Sequence, residues 1–250
     1  MWELNISVDT NKSDSLLSIE SRLKPIMDTG KGIMMQDARH GRAFLLIACE
    51  EDGKDRIKSE LNEAVSDVIT VDFKEKFLLK NSRLPKINVI NYNAFLKALV
   101  AFDREWDREM VFNTLEYEDE LLLDGFYNFK LKELREKWQE VCDLANHNSG
   151  YLEYHETFLE LLRFLVQTID CKEKHITVVK EKDEYSFLDA AGKAVNRAKL
   201  KLDKKITDET LLPNLIAVAP KEICLLKCAV PEYIKNLMGC IFTVNSDIGN

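Results

Sequence analysis

Leu121–Leu134 reads LLLDGFYNFKLKEL: an apolar triplet, an Asp-Gly pair, an aromatic pair, and then the first turn of a helix. A run that changes character so quickly marks either a join between two parts of a fold or a site. Packing chemistry favours the join. Phe126 and Phe129 are expected to plug the core beside the helix, Gly125 to permit a turn, and Asn128 to bond local backbone. The functional alternative gathers Asn128, Lys130 and Arg135, with Arg163 further along, into a contact surface for an anion or an acidic partner.

Beyond this stretch, Leu131, Leu134, Trp138, Val141 and Ala145 recur at three and four, a helix that Asn146–Gly150 ends. A second helix is expected over 151–169, apolar on most of its circumference. HITVVK and EYSFLD then read as a hairpin around Lys182 and Asp183. A basic connector follows, and Thr207 or Asp208 caps a helix through Val218 that Pro220 ends. ICLLK, a helix opened by Pro231, and CIFTV form a strand–helix–strand unit of the right length for a parallel crossover.

Before it, WELNISVD alternates as a first strand, and Ser13 or Asp14 caps a helix that Thr29–Gly32 stops. GIMMQ and RAFLLIAC form a hairpin around Asp37–Gly41. A helix runs from Ile57 through Val68 and on towards Phe77 and Leu78. Residues 80–92 break the pattern, 94–111 resume it as one helix, and the acidic run Glu116–Glu120 reads as a solvated segment. The fold class is therefore α+β. A small strand–helix–strand–strand–helix module occupies residues 1–80, and a helical middle with a C-terminal mixed α/β layer occupies 93–250.

Taken in order, LLLDGFYNFKLKEL, FLELLRFLVQ, HITVVKEKDEYSFLD and LLPNLIAVAPKEICLL resemble the YtxC family of sporulation proteins from endospore-forming bacteria. The residues that carry the likeness are Gly125, Phe126, Asn128, Phe129, Leu131, Leu161 to Phe164, Asp189, Ala219, Pro220 and Ile223, within residues 118–245. Tyr127 and Lys130 vary the family's pattern. The resemblance implies a sporulation-associated protein and brings no catalytic residues with it.

Composition narrows the chemistry. The net charge of -8 disfavours general nucleic-acid binding and anionic membrane surfaces. MWELNISVD lacks the basic and apolar regions of a secretory signal, and no apolar run reaches the roughly 20 residues of a membrane helix, so a cytosolic protein is expected. Its six cysteines are expected to be free thiols. Four residues of strand span about 13 Å, too far for Cys224 and Cys228 to share one metal. His155-Glu156 starts like a zinc-protease helix, but Leu159 stands where the second histidine belongs. Neither Gly-rich phosphate-binding motif occurs, and no cofactor is expected.

The leading expectation is a non-catalytic protein acting through a protein partner. The second is a small-molecule sensor or enzyme using a cleft at the crossover between Cys224 and Val244. The third is a basic docking patch for nucleic acid or an acidic partner, formed by Lys193, Arg197, Lys199, Lys201, Lys204 and Lys205.

Overall fold

The computed structural model describes residues 1–28, 32–83, 87–226 and 228–247. The expected helix stop at Thr29–Lys31 and residues 84–86 of the expected break lie outside them. In chain order the first elements are β1 (Trp2–Asp9), α1 (Asp14–Met27), β2 (Gly32–Arg39), β3 (Arg42–Cys49), α2 (Lys54–Asp67) and α3 (Lys74–Asn81). Next come α4 (Val89–Ala101), α5 (Arg104–Thr114), β4 (Glu120–Leu122), the one-turn α6 (Leu123–Gly125), α7 (Lys132–His147) and α8 (His155–Gln167). The last are β5 (His175–Glu181), β6 (Glu184–Leu188), the one-turn α9 (Arg197–Leu200), α10 (Asp208–Val218), β7 (Glu222–Leu226), α11 (Glu232–Ile241) and β8 (Thr243–Asp247). The α+β class holds. The chain divides into two compact units that alternate along the sequence, one of Met1–Phe77 with Glu105–Glu140, the other of Leu78–Arg104 with Val141–Asn250.

The first unit is built on a mixed sheet of order β2-β3-β1-β4. β1 and β2 each pair antiparallel with β3, and β4 adds to β1 in parallel. His40 and Gly41, both at positive φ, make the tight β2–β3 turn, as a two-residue hairpin requires. Strict alternation sends Leu4, Ile6 and Val8 of β1 and Leu45 and Ile47 of β3 to one face, where Ile19 and Leu23 of α1 and Leu61 and Val65 of α2 close the core. Arg22 of α1 and Arg108 of α5 meet on Asp67 of α2, with Glu60 and Glu63 alongside.

Two departures from the sequence pattern lie in the helices. A π-helical turn, Val68–Phe73, joins α2 to α3 and rotates the buried face. The single helix expected over 94–111 is split, because Phe102 is extended and Asp103 takes a left-handed conformation that Asp tolerates better than most residues. At the start of α3, Lys74 donates to Asp107 of α5 at 2.6 Å, with side chains only 2% and 1% exposed. The Trp138 ring of α7 lies 5.9 Å from the same ammonium. Burial pushes the Asp107 carboxyl up, while Lys74 pulls it back down.

The second unit carries a sheet of order β6-β5-β7-β8. β5, β7 and β8 are parallel, and β6 returns antiparallel from β5. The expected parallel crossover through α11 is present. Its α10 packs on α4, and α8 on α4 and α11. Ala219, at φ 49, ends α10 before Pro220. The helix expected over 151–169 begins only at His155, behind a 3-10 turn at Ser149–Glu153.

Removing one partner of a buried pair strands the other charge. Lys74→Met is expected to cost about 3–5 kcal/mol in chemical denaturation, and Lys74→Met with Asp107→Leu to recover most of it. The loss in the single variant should shrink on acidification. A carboxyl with a raised native pKa takes up a proton on folding, so its stability contribution falls as pH rises through that window.

Candidate functional site: an exposed aromatic turn

The segment that opened the sequence reading begins as β4. Its parallel register with β1 sends Leu121 into the core, leaves Leu122 outside, and Leu123 then turns back in. Asp124 is no free acid. Its carboxylate accepts from both terminal nitrogens of Arg42 of β3, at 2.8 and 3.3 Å, and Arg42 also donates to Ser7 Oγ at 3.1 Å. Burial alone would raise the Asp124 carboxyl, but the Arg42 hydrogen bonds and charge outweigh it and hold the group below the ordinary carboxylate range. Gly125 sits at φ -64 in ordinary right-handed helix, so the expectation that it permits a turn is corrected: no conformation here demands glycine.

A second π-helical turn, Phe126–Lys130, follows. Phe126 and Tyr127 are buried. The Tyr127 ring stacks edge-on against Phe73 at 5.0 Å between centroids and tilts over Trp138 at 6.1 Å. Burial pushes its phenol up to about 12. Lys12 Nζ and Arg135 Cζ stand 5.8 and 5.6 Å from the same ring. Phe129 is 83% exposed, which corrects the expectation that it plugs the core. The extra residue of a π turn advances the helical phase, so the aromatic three positions after Phe126 no longer shares its face. Arg135 Nη2 donates to the Asn128 carbonyl at 2.6 Å and fixes the turn, and Asn128, Phe129 and Lys130 project to solvent.

Of the expected contact residues, Asn128, Lys130 and Arg135 come together here. Arg163 belongs to the second unit, where its Nε donates to the Cys240 carbonyl at 2.6 Å. The basic connector is folded rather than loose: antiparallel bridges join Leu188 to Ala194 and Tyr185 to Ile206. Arg197 donates to the Lys204 and Tyr185 carbonyls, Lys205 pairs with Glu184 at 3.3 Å, Lys193 and Lys204 are exposed, and Lys201 is half-buried. The Lys199 side chain lies outside the described residues.

Sequence reasoning missed a polar knot at the C-terminal end of β5. Lys180 Nζ donates to Tyr185 Oη at 3.0 Å and to Asp208 Oδ1 at 2.9 Å, and Tyr185 donates to the same oxygen at 2.6 Å. Hydrogen bonding to Tyr185 and Asp208 raises the Lys180 ammonium, and burial lifts the Tyr185 phenol to about 12. An ammonium and a phenol so held keep their protons at neutral pH, which suits a structural clasp. Asp208 and Tyr185 stand far apart in sequence, so no local pattern announced them. Among the described residues, no group of three or more His, Cys, Asp or Glu could hold a metal, and no helix is long and apolar enough to cross a membrane.

Two substitutions check this geometry. Asp124→Asn is expected to lower stability by about 1 kcal/mol above about pH 5, where the unfolded carboxyl is ionised. The deficit should fade as pH falls from 3.8 through the lowered native value, because a depressed carboxylate stabilises only while it stays ionised. Gly125→Ala is expected to hold or raise the melting temperature, by up to about 1 kcal/mol of stability. Its added Cβ meets only Leu122 Cβ at 3.4 Å, and alanine restricts the unfolded chain.

No curated protein matches the chain, and no solved structure does. The model of the YtxC-like family matches residues 71–244, which include the aromatic turn, the polar knot and the parallel crossover. That match covers well over half of the sequence, and the chain belongs to the YtxC-like family.

Proposed function

We propose that this chain is a sporulation-associated protein that works by contact with a protein partner rather than by catalysis, and that the turn Phe126–Lys130 is its contact surface. The observation that carries the reading is Phe129, a large aromatic 83% exposed at the tip of a turn whose other two rings are buried. The turn is preorganised by the Arg135 clasp and the Tyr127 stack, so little ordering remains to be done on binding. Rigid aromatic side chains of this kind dominate interface energetics. Lys12 and Arg135 stand by the Tyr127 ring and Lys130 is exposed in the turn itself, cations gathered in a chain whose net charge is -8, which suits an acidic partner with an apolar pocket.

Phe129→Ala tests it. Removing an exposed side chain is expected to change stability by less than about 0.5 kcal/mol. In sporulating cells whose own copy has been replaced, the variant should lose the partner that the parent chain co-purifies. Affinity should drop about 30-fold or more, the loss of a central aromatic. Full recovery of the same partner with Phe129→Ala, together with normal yields of heat-resistant spores, would remove the turn from function.

A further inference from the structure

A different surface of the first unit carries an independent assignment. In the sheet β2-β3-β1-β4, α1 and α2 pack on the face that carries Leu4, Ile6, Leu45 and Ile47. On the other, the strand register sets Ile33 beside Ala48, Met35 beside Leu46, and Phe44 beside Ser7. Ile33 is 73% exposed and Met35 59%, while Phe44, Leu46 and Ala48 are half-buried beside them. β2 is also the long edge of the sheet, and it contains neither lysine nor proline, the residues that usually blunt such an edge.

We propose that this outer face receives an amphipathic helix with basic flanks from a partner protein. Width and charge select that occupant. With strands about 4.8 Å apart rising about 3.4 Å per residue, the apolar patch on β2 and β3 is about 10 Å wide and covers on the order of 160 Å². One face of a single helix, about 10 Å across, matches it. The rim is acidic. Among the described residues, Glu3, Asp9, Asp37 and Glu120 share the face with Arg39 and Arg42, and Asp124 reaches it through Arg42. Both arginines are engaged, Arg39 with Asp37 at 3.7 Å and Arg42 with Asp124 at 2.8 Å. Asp9 and Glu120 act on Arg42 as well. The uncompensated carboxylates favour lysine or arginine on the incoming helix and disfavour a second copy of the same acidic rim. The surface shares no residue with the turn at Phe126–Lys130, so either assignment can fail without the other.

The probe is a fluorescent amphipathic helical peptide of leucine and lysine, titrated into the full chain, with a leucine and glutamate peptide of the same pattern as its counterpart. The lysine peptide should bind at least about tenfold tighter than the glutamate peptide, and the difference should shrink with added salt. Ile33→Lys with Met35→Lys should weaken the lysine peptide by about tenfold or more, while Val89→Lys, the same change at an exposed apolar position elsewhere, should not. Ile33→Thr with Met35→Thr, which keeps strand propensity and adds no charge, should weaken it too. Equal binding of the two peptides, or binding unchanged in both double variants, overturns the proposal. So does a sedimenting dimer of the parent chain that Ile33→Lys with Met35→Lys dissolves, which would give the face to a second copy.

Discussion

An ammonium and a carboxylate with almost no access to water fix the arrangement of the first unit. Lys74 and Asp107 can remain charged only while they face each other, because neither is solvated. That condition sets the start of α3 against α5, and Trp138 of α7 lies beside the pair. The ring system around it extends the constraint, with Trp138 against Phe77 and Tyr127, and Tyr127 against Phe73. Apolar burial supplies the bulk of the stability. The ion pair sets a condition on how the start of α3 faces α5, since separating the two leaves an unsolvated charge on each. The exposed Phe129 inherits its position from this arrangement, since Tyr127, two residues before it, is part of the same ring cluster.

Strand and helix alternation was legible wherever a single period ran uninterrupted. WELNISVD declares its buried face by alternation, and the helix after Leu131 does so by its three-and-four spacing, whereas RAFLLIAC reads as a strand from a continuous apolar run that leaves its buried face unstated. The π turns were not legible. Each inserts one residue into a helical period, and the apolar pattern on either side reads as continuous although the face has rotated. That is why Phe126 and Phe129 looked like a core pair and only Phe126 is one. The split after Ala101 was hidden for a different reason: apolar residues on both sides keep a helical period through it, and Phe102 and Asp103 depart by backbone conformations that no side-chain pattern encodes.

Partnerships across long separations were silent for a third reason. Lys74 lies in step with Phe77 and Leu78, and Asp107 in step with Val111, so each puts a charge on a buried helical face. Such a position signals that a partner exists and says nothing of where it is. The same holds for Asp124, which stood only as half of an Asp-Gly pair and is the anchor of Arg42. Asn128, Lys130 and Arg135 were found together because they are close in sequence. Arg163, far from them along the chain, spends its Nε on a helix-end carbonyl instead.

The alternation of the two units along the chain bears on how the molecule is made. Its first sheet is finished by β4, which pairs with β1 from far earlier in the chain. On the ribosome the opening strands and helices emerge early but must wait for residues 105–140, while 78–104, which belong to the second unit, emerge in between. A nascent chain halted before Glu120 therefore exposes both the open side of β1 and the apolar surface that Leu121, Leu123 and Phe126 cover. Such an intermediate, with an unpaired strand edge and uncovered apolar surface, is prone to self-association until β4 arrives.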